Sequence, residues 1–175
     1  MAELPVEKML VSEIFQKVSN AKTKKEKIAL LKKYSTPAVR ALLIWNYDES
    51  VVSMVPKGEV PYRKNDSPPG TDHTMLFHEY KKLYHYVKGG NDGLNKIKRE
   101  QMFVQLLEAL QEDEAQVLCM VKDKTLGKRY KITKACISEA LPEIQWGNRS
   151  GKLIFFIQNV ILRWQRIGNY HTMHT

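Results

Sequence analysis

Lysine and arginine side chains cluster in one short segment of the chain, residues 122–134. The segment carries six of them against a single acid, Asp123: Lys122, Lys124, Lys128, Arg129, Lys131 and Lys134. Cationic side chains at this density neutralise phosphate groups and donate hydrogen bonds to them. The composition of the segment therefore predicts a site for a phosphate-bearing polyanion.

The local sequence predicts a helix, a tight turn and a second helix around these charges. Gly127 is expected to supply the unusual backbone angle of the turn, and Thr133 to cap a helix over 134–141 that Pro142 closes. Free amides in the first turn of a helix bind phosphate well. A backbone phosphate held there and neutralised by the neighbouring cations satisfies these features. A solvated loop before a capped helix is the alternative interpretation.

A second basic segment lies near the N-terminus. Residues 1–46 carry nine Lys or Arg against four acids, within a net charge of +9 for the 175 residues, and the stretch between the two basic segments is mildly acidic. Two such segments predict one charged face of a polyanion-binding protein, to which we assign Lys22, Lys24 and Lys25 as further binding candidates. A generally soluble basic protein is the alternative.

Hydrophobic periodicity predicts an all-α fold, a single helical domain of about seven or eight helices. The expected helices cover 4–19, 24–34, 37–45, 72–88, 94–110, 114–121, 134–141 and 151–167, with Thr23, Thr36, Asp72 and Thr133 as N-caps. A strand over 153–157 is the alternative in the last of these. The Pro- and Gly-rich residues 47–71 predict an irregular connection pinned to the core by Val51, Val52, Met54 or Val55.

Three stretches together resemble the N-terminal DNA-binding domain of ATP-dependent DNA ligases, especially the phage type. They are VSEIFQKVSNAKTKKEKIALLKKYSTPAVRALLIWNYDESV, TMLFHEYKKLYHYVKGGNDG and QVLCMVKDKTLGKRYKITKACISEALPEI. In the last, Leu126–Gly127, the helix 132–141 and Pro142 take the places of the ligase turn and its closing helix. The resemblance covers about residues 8–144. It implies a ligase-like helical domain over 1–150, followed by an apolar helix and short tail at 151–175 packed on the same domain.

The chain departs from the ligases where their chemistry begins. Ligases form an adenylate on the lysine of a K-x-D-G motif, and the nearest approach here, residues 64–67, reads Lys-Asn-Asp-Ser. The resemblance therefore implies a non-enzymatic, stand-alone binding module, encoded by a phage and located in the cytoplasm of the infected bacterial host.

The sequence carries no motif for nucleotide or metal chemistry. The sequence lacks the phosphate-binding loop, the dinucleotide-binding glycine pattern and the zinc-protease motif, so no cofactor is expected. The five histidines do not predict a metal site, and Cys119 and Cys136 are expected to be buried free thiols. Tyr80, Tyr84 and Tyr86 alternate with lysines, which suggests either a surface that stacks single-stranded bases or half-buried helix residues.

The sequence offers no membrane segment. The N-terminus lacks the long apolar run of a signal peptide, and the apolar stretch 153–162 is too short to cross a bilayer.

The basic segments predict binding to a polyanion through its phosphates. The ligase resemblance implies that this polyanion is duplex DNA, bound independently of its sequence, at nicks or in the minor groove. The alternative is a protein-binding adaptor or virion component that keeps the helical fold without binding DNA. The apolar C-terminal helix favours that alternative as a surface for a protein partner.

Overall fold

The computed structural model describes residues 4–68 and 73–147, and within them the fold is all-α, as predicted. It contains eight α-helices: α1 (Val11–Asn20), α2 (Lys24–Lys33), α3 (Pro37–Tyr47), α4 (Leu76–Glu79), α5 (Lys96–Ala109), α6 (Glu112–Lys122), α7 (Leu126–Arg129) and α8 (Lys134–Ala140). Two 3₁₀ helices cover Val6–Lys8 and Tyr80–Tyr86. These residues form no strand, only two isolated bridges. The predicted helix over 151–167 and the cap Asp72 lie outside the described residues.

Helix α3 lies at the centre of the fold. It is apolar around its circumference, and of its eleven residues only Arg40 and Tyr47 are not buried. A helix that is apolar on all sides must be enclosed by other elements, and α3 packs against α4, α6 and the 3₁₀ helix 80–86. Its predicted start is confirmed, because the Thr36 hydroxyl accepts the Val39 N–H at 3.2 Å and Pro37 takes the first helical position.

Two other predicted caps are also confirmed. The Thr23 and Thr133 hydroxyls each accept a backbone N–H three residues on, both at 3.2 Å. The predicted start of the first helix at residue 4 is wrong. That helix begins at Val11, and a short 3₁₀ turn precedes it.

The prediction of one α-helix over 72–88 is also wrong, because the longer helical part of this segment is a 3₁₀ helix. Four α-helical residues are followed by a seven-residue 3₁₀ helix, and Met75 takes the N-cap position. The buried side chains of the 3₁₀ helix are Tyr80, Leu83 and Tyr86. Their spacing of three matches the three residues per turn of a 3₁₀ helix, so the three side chains lie on one face of this segment. In an α-helix, with 3.6 residues per turn, side chains at this spacing would drift around the helix axis.

The irregular connection after α3 is anchored by fewer side chains than predicted. Val51 and Val55 are buried, whereas Val52 is 44% exposed. Backbone hydrogen bonds supply the remaining anchorage, because the Met54 N–H donates to the Tyr86 carbonyl oxygen at 2.7 Å and the Lys88 N–H to that of Val52 at 2.8 Å.

One buried carboxylate fixes where two of these helices begin. Glu114, in the first turn of α6, has no exposed surface. Its Oε2 accepts the Val11 N–H at 2.9 Å and its Oε1 accepts the Leu76 N–H at 3.0 Å. Val11 and Leu76 are the first residues of α1 and α4, whose leading amides have no partner within their own helices. Glu114 thus caps both helices at once, which explains why the first helix starts at Val11.

The burial of Glu114 makes the stability of the fold depend on pH. Burial raises the pKa of its carboxyl to about 7, against the two amide hydrogen bonds, which lower it. The folded chain therefore holds this proton more tightly than the unfolded chain. The free energy of unfolding should fall as the pH rises from about 4.5 to about 7, by up to about 3 kcal/mol.

Glu114→Gln should remove this contribution, because an amide does not ionise. Urea unfolding of both proteins across that pH range measures the difference in their free energies of unfolding. We expect the difference to change with pH as the wild-type carboxyl titrates. A difference that stays constant with pH would contradict this account of Glu114.

Candidate nucleic-acid interface

The packing of α2 against α8 brings the two basic segments of the sequence together. The Lys27 Nζ donates to the Lys131 carbonyl oxygen at 2.6 Å, and the Lys131 N–H donates to the Ser19 Oγ at 3.0 Å. Both contacts join residues more than one hundred positions apart in the chain. Residues 19–34 and 128–140, which we call the basic face, therefore form one continuous surface.

The basic face is strongly cationic. It holds ten Lys or Arg residues and two acids, Glu26 and Glu139. Five of its lysines are exposed, and within the described part of the chain no ion pair joins their ammonium groups to a carboxylate: Lys22, Lys25, Lys32, Lys128 and Lys131. These groups are free to neutralise an anion from outside the protein.

Three other candidates on this face are partly engaged. Lys24 Nζ lies 2.6 Å from the Glu139 carboxylate, and the Lys134 ammonium lies 4.9 Å from the centre of the Trp146 ring. Arg129 donates to the Gln116 side-chain oxygen and stands 3.6 Å from Asp113. All three cations remain exposed. Each of them has to give up an existing contact in order to bind an external anion.

Lys122 is removed from the candidate set by its burial. Its side chain has no exposed surface. The ammonium donates to the carbonyl oxygens of Pro56 at 2.9 Å and Gly58 at 3.0 Å, and to Asp123 Oδ1 at 2.6 Å. Three acceptors match its three N–H donors. Lys122 therefore holds the irregular connection onto α6 and does not face a ligand.

Lys124 is likewise turned inward. Its ammonium donates to the carbonyl oxygens of Trp45 at 3.0 Å and Asp48 at 2.6 Å, where α3 ends. A cation there complements the negative end of the helix dipole. Burial lowers the pKa of Lys124, although the nearby Asp48 carboxylate opposes that effect.

The prediction for Gly127 is wrong. The residue that takes the left-handed backbone angle of the turn is Lys124, with φ of 58°, whereas Gly127 lies inside α7. The two hydrogen bonds of the Lys124 ammonium hold this residue in an angle that glycine would adopt more easily.

Thr133 lies within the basic face, where it caps α8. Its hydroxyl is occupied by the Cys136 N–H, and α8 has only seven residues. The exposed lysines, and not the end of this helix, are therefore the groups that an anion would meet.

The remaining sequence candidates do not form a second site. Tyr80 and Tyr86 are buried, and only Tyr84 of the three tyrosines is half-buried. Within the described residues no group of three or more His, Cys, Asp or Glu could hold a metal ion. Cys119 is half-buried and Cys136 buried, both as free thiols.

The lysine of the ligase-like tetrapeptide lies on the surface. The Lys64 side chain is 65% exposed, with its ammonium 3.5 Å from Glu112. Lys64 lines an open cleft of about 490 Å³ with its neighbours in the chain and with Glu108.

Within residues 4–68 and 73–147, every helix is too short or too polar to cross a membrane.

Residues 14–128 match a family of proteins of unknown function, DUF6433. The chain belongs to this family. Neither a curated protein nor a solved structure matches it. The DUF6433 match begins at Ile14 within α1, covers α2 to α6 and ends at Lys128 within α7. It therefore includes α2, the buried Lys122 and the half-buried Lys124, while α8 follows it.

The inward-bonded and the exposed lysines of residues 122–134 should differ in how much their replacement lowers the free energy of unfolding. Lys122→Met should lower the free energy of unfolding by about 3 kcal/mol, because it leaves buried acceptors without their donor. Lys128→Met, the exposed control, should change it by less than about 0.5 kcal/mol. Chemical denaturation measures both, and equal effects would show that Lys122 is not the anchor described here.

Proposed function

We propose that this protein is a non-enzymatic, sequence-independent binder of duplex DNA that contacts the phosphate backbone through its basic face. The observation that carries the proposal is the joining of two distant basic segments by α2 and α8, with five exposed lysines that no carboxylate of the described chain neutralises. A surface of this kind attracts polyanions and releases the cations condensed around them.

The chemistry of the side chains favours phosphate contact over base recognition. Lysine ammonium groups act as flexible point charges, which suit phosphates and carry little sequence information. The one arginine of the face, Arg129, already contacts Gln116 and Asp113. Few rigid groups therefore remain to read base edges, and the proposal predicts similar affinity for every duplex sequence.

The structure changes which residues the proposal assigns to DNA. Lys22, Lys25, Lys128 and Lys131 are the principal contacts, and Lys24, Arg129 and Lys134 contribute after giving up an existing contact. Lys122 and Lys124 are excluded, and Thr133 supports α8. The phage origin, the infected-host cytoplasm and the binding of nicked as well as intact duplex belong to the same proposal through the ligase resemblance.

Replacing Lys25, Lys128 and Lys131 together by Ala should weaken binding to all duplex sequences to a similar degree. Each lost phosphate contact should reduce the slope of log affinity against log salt by about 0.9, so the triple variant should lose roughly 2.7 of the slope. Fluorescence anisotropy of labelled duplexes over a range of salt concentrations measures both quantities.

Lys81, Lys82 and Lys88 offer a matched control. They are exposed lysines outside the basic face, and their replacement by Ala removes the same formal charge. This control should keep nearly all of the wild-type slope. Unchanged affinity and slope in the first variant would favour the protein-binding adaptor, for which the predicted partner segment is the C-terminal helix.

The proposal also predicts that the protein forms no covalent adenylate. Lys64 lies exposed beside Glu112 in a tetrapeptide that ends in Ser67 where the ligases have glycine. Incubation with labelled ATP and a divalent cation should leave no label on the denatured protein. A labelled adduct that Lys64→Ala abolishes would overturn the non-enzymatic assignment.

A further inference from the structure

The exposed ion pair between Lys24 and Glu139 lies inside the basic face. The Lys24 Nζ is 2.6 Å from Glu139 Oε1, and the two side chains are 54% and 55% exposed. The pair joins the first residue of α2 to the penultimate residue of α8. Its hydrogen bond, and then its charge, raise the pKa of Lys24. One ammonium of the proposed phosphate-binding surface is thus already bonded to an anion of the protein itself.

The other acid of the basic face differs from Glu139. Glu26 is also exposed, but its carboxylate accepts the Lys22 backbone N–H at 3.1 Å. It therefore completes the start of α2 and does not neutralise a lysine ammonium through a described ion pair. The two acids have the same charge and lie in the same surface, but only Glu139 occupies a cation that DNA could use.

We infer that Glu139 is a built-in competitor of phosphate, whose carboxylate takes the position on Lys24 that a DNA phosphate would occupy. This inference rests on the proposed function of the basic face. Carboxylate and phosphate oxygens are both anionic acceptors for an ammonium group at similar distances. Lys24 therefore exchanges one anion for another when DNA binds.

The exchange of the Glu139 carboxylate for a phosphate on Lys24 determines which ligands the basic face selects. An exposed ion pair contributes little free energy, so it opens readily. A ligand with a single negative charge gains almost nothing from replacing the carboxylate. A DNA backbone gains, because the neighbouring free lysines bind adjacent phosphates in the same event. Glu139 therefore weakens binding of isolated anions and keeps binding of DNA reversible.

A double-mutant cycle on duplex DNA tests this competition. Glu139→Gln should tighten binding by roughly two- to fivefold, in line with the strength of an exposed ion pair. Most of that gain should disappear in the Lys24→Ala background, where no lysine remains to be released. The affinities of the wild type, the two single variants and the double variant are measured at one salt concentration near physiological. Thermal unfolding checks that all four proteins are folded.

Glu26→Gln is the matched control, because it removes the same charge while keeping an oxygen that can accept the Lys22 N–H. It reports the general effect of removing one negative charge from the face. Its gain should be smaller than that of Glu139→Gln and should be the same with Lys24 or Ala at position 24. Equal gains from both acids, or a Glu139→Gln gain that persists in full with Lys24→Ala, would overturn the competitor role while leaving DNA binding intact. A wild-type protein that binds no duplex would instead overturn the proposed function and this inference with it.

Discussion

Helix α6 carries a fully buried carboxylate in its first turn and a fully buried ammonium at its last residue, and the surrounding structure is built to satisfy both. Buried charges are costly unless every polar atom finds a partner. Glu114 meets this requirement with the leading amides of α1 and α4, and Lys122 meets it with two carbonyl oxygens of the irregular connection and the Asp123 carboxylate. The acid stands at the positive end of the helix dipole and the base at the negative end, which offsets part of the cost of burying each charge. Short helices and a long irregular connection are thereby held in one arrangement.

The same arrangement positions the basic face. Helix α6 packs against α1 and α3, and α1 packs against α2. The basic residues from the end of α6 onward are then divided by their direction: Lys122 and Lys124 bond inward to the connection and to the end of α3, while Lys128 and Lys131 are exposed to solvent. The Lys27 contact with the Lys131 carbonyl oxygen closes the surface between the two segments. A run of similar residues in the sequence thus serves two purposes, anchoring the fold and presenting charge.

Much of the fold follows from the sequence, because hydrophobic periodicity and capping residues are local signals. The capped starts of α2, α3 and α8 were predictable from Thr23, Thr36 and Thr133. The start of α1 was not, because its cap is Glu114, more than one hundred residues away. The 3₁₀ helix was missed although Tyr80, Leu83 and Tyr86 show its three-residue period. Within the candidate site, residue type and clustering identified the exposed lysines. They did not distinguish these lysines from Lys122 and Lys124. Those two are turned inward by carbonyl oxygens of residues that are distant in the sequence.

Residues 19–34 and 128–140 are proposed to act as one phosphate-binding surface, and footprinting of their lysines tests this most directly. The protein is treated with an amine-reactive label with and without a long duplex at low salt, and modification at each lysine is measured by mass spectrometry. We predict that Lys22, Lys25, Lys128 and Lys131 become protected together at the same DNA concentration, while Lys81, Lys82 and Lys88 stay labelled. Protection of only one of the two segments, or equal protection of all exposed lysines, would contradict the account.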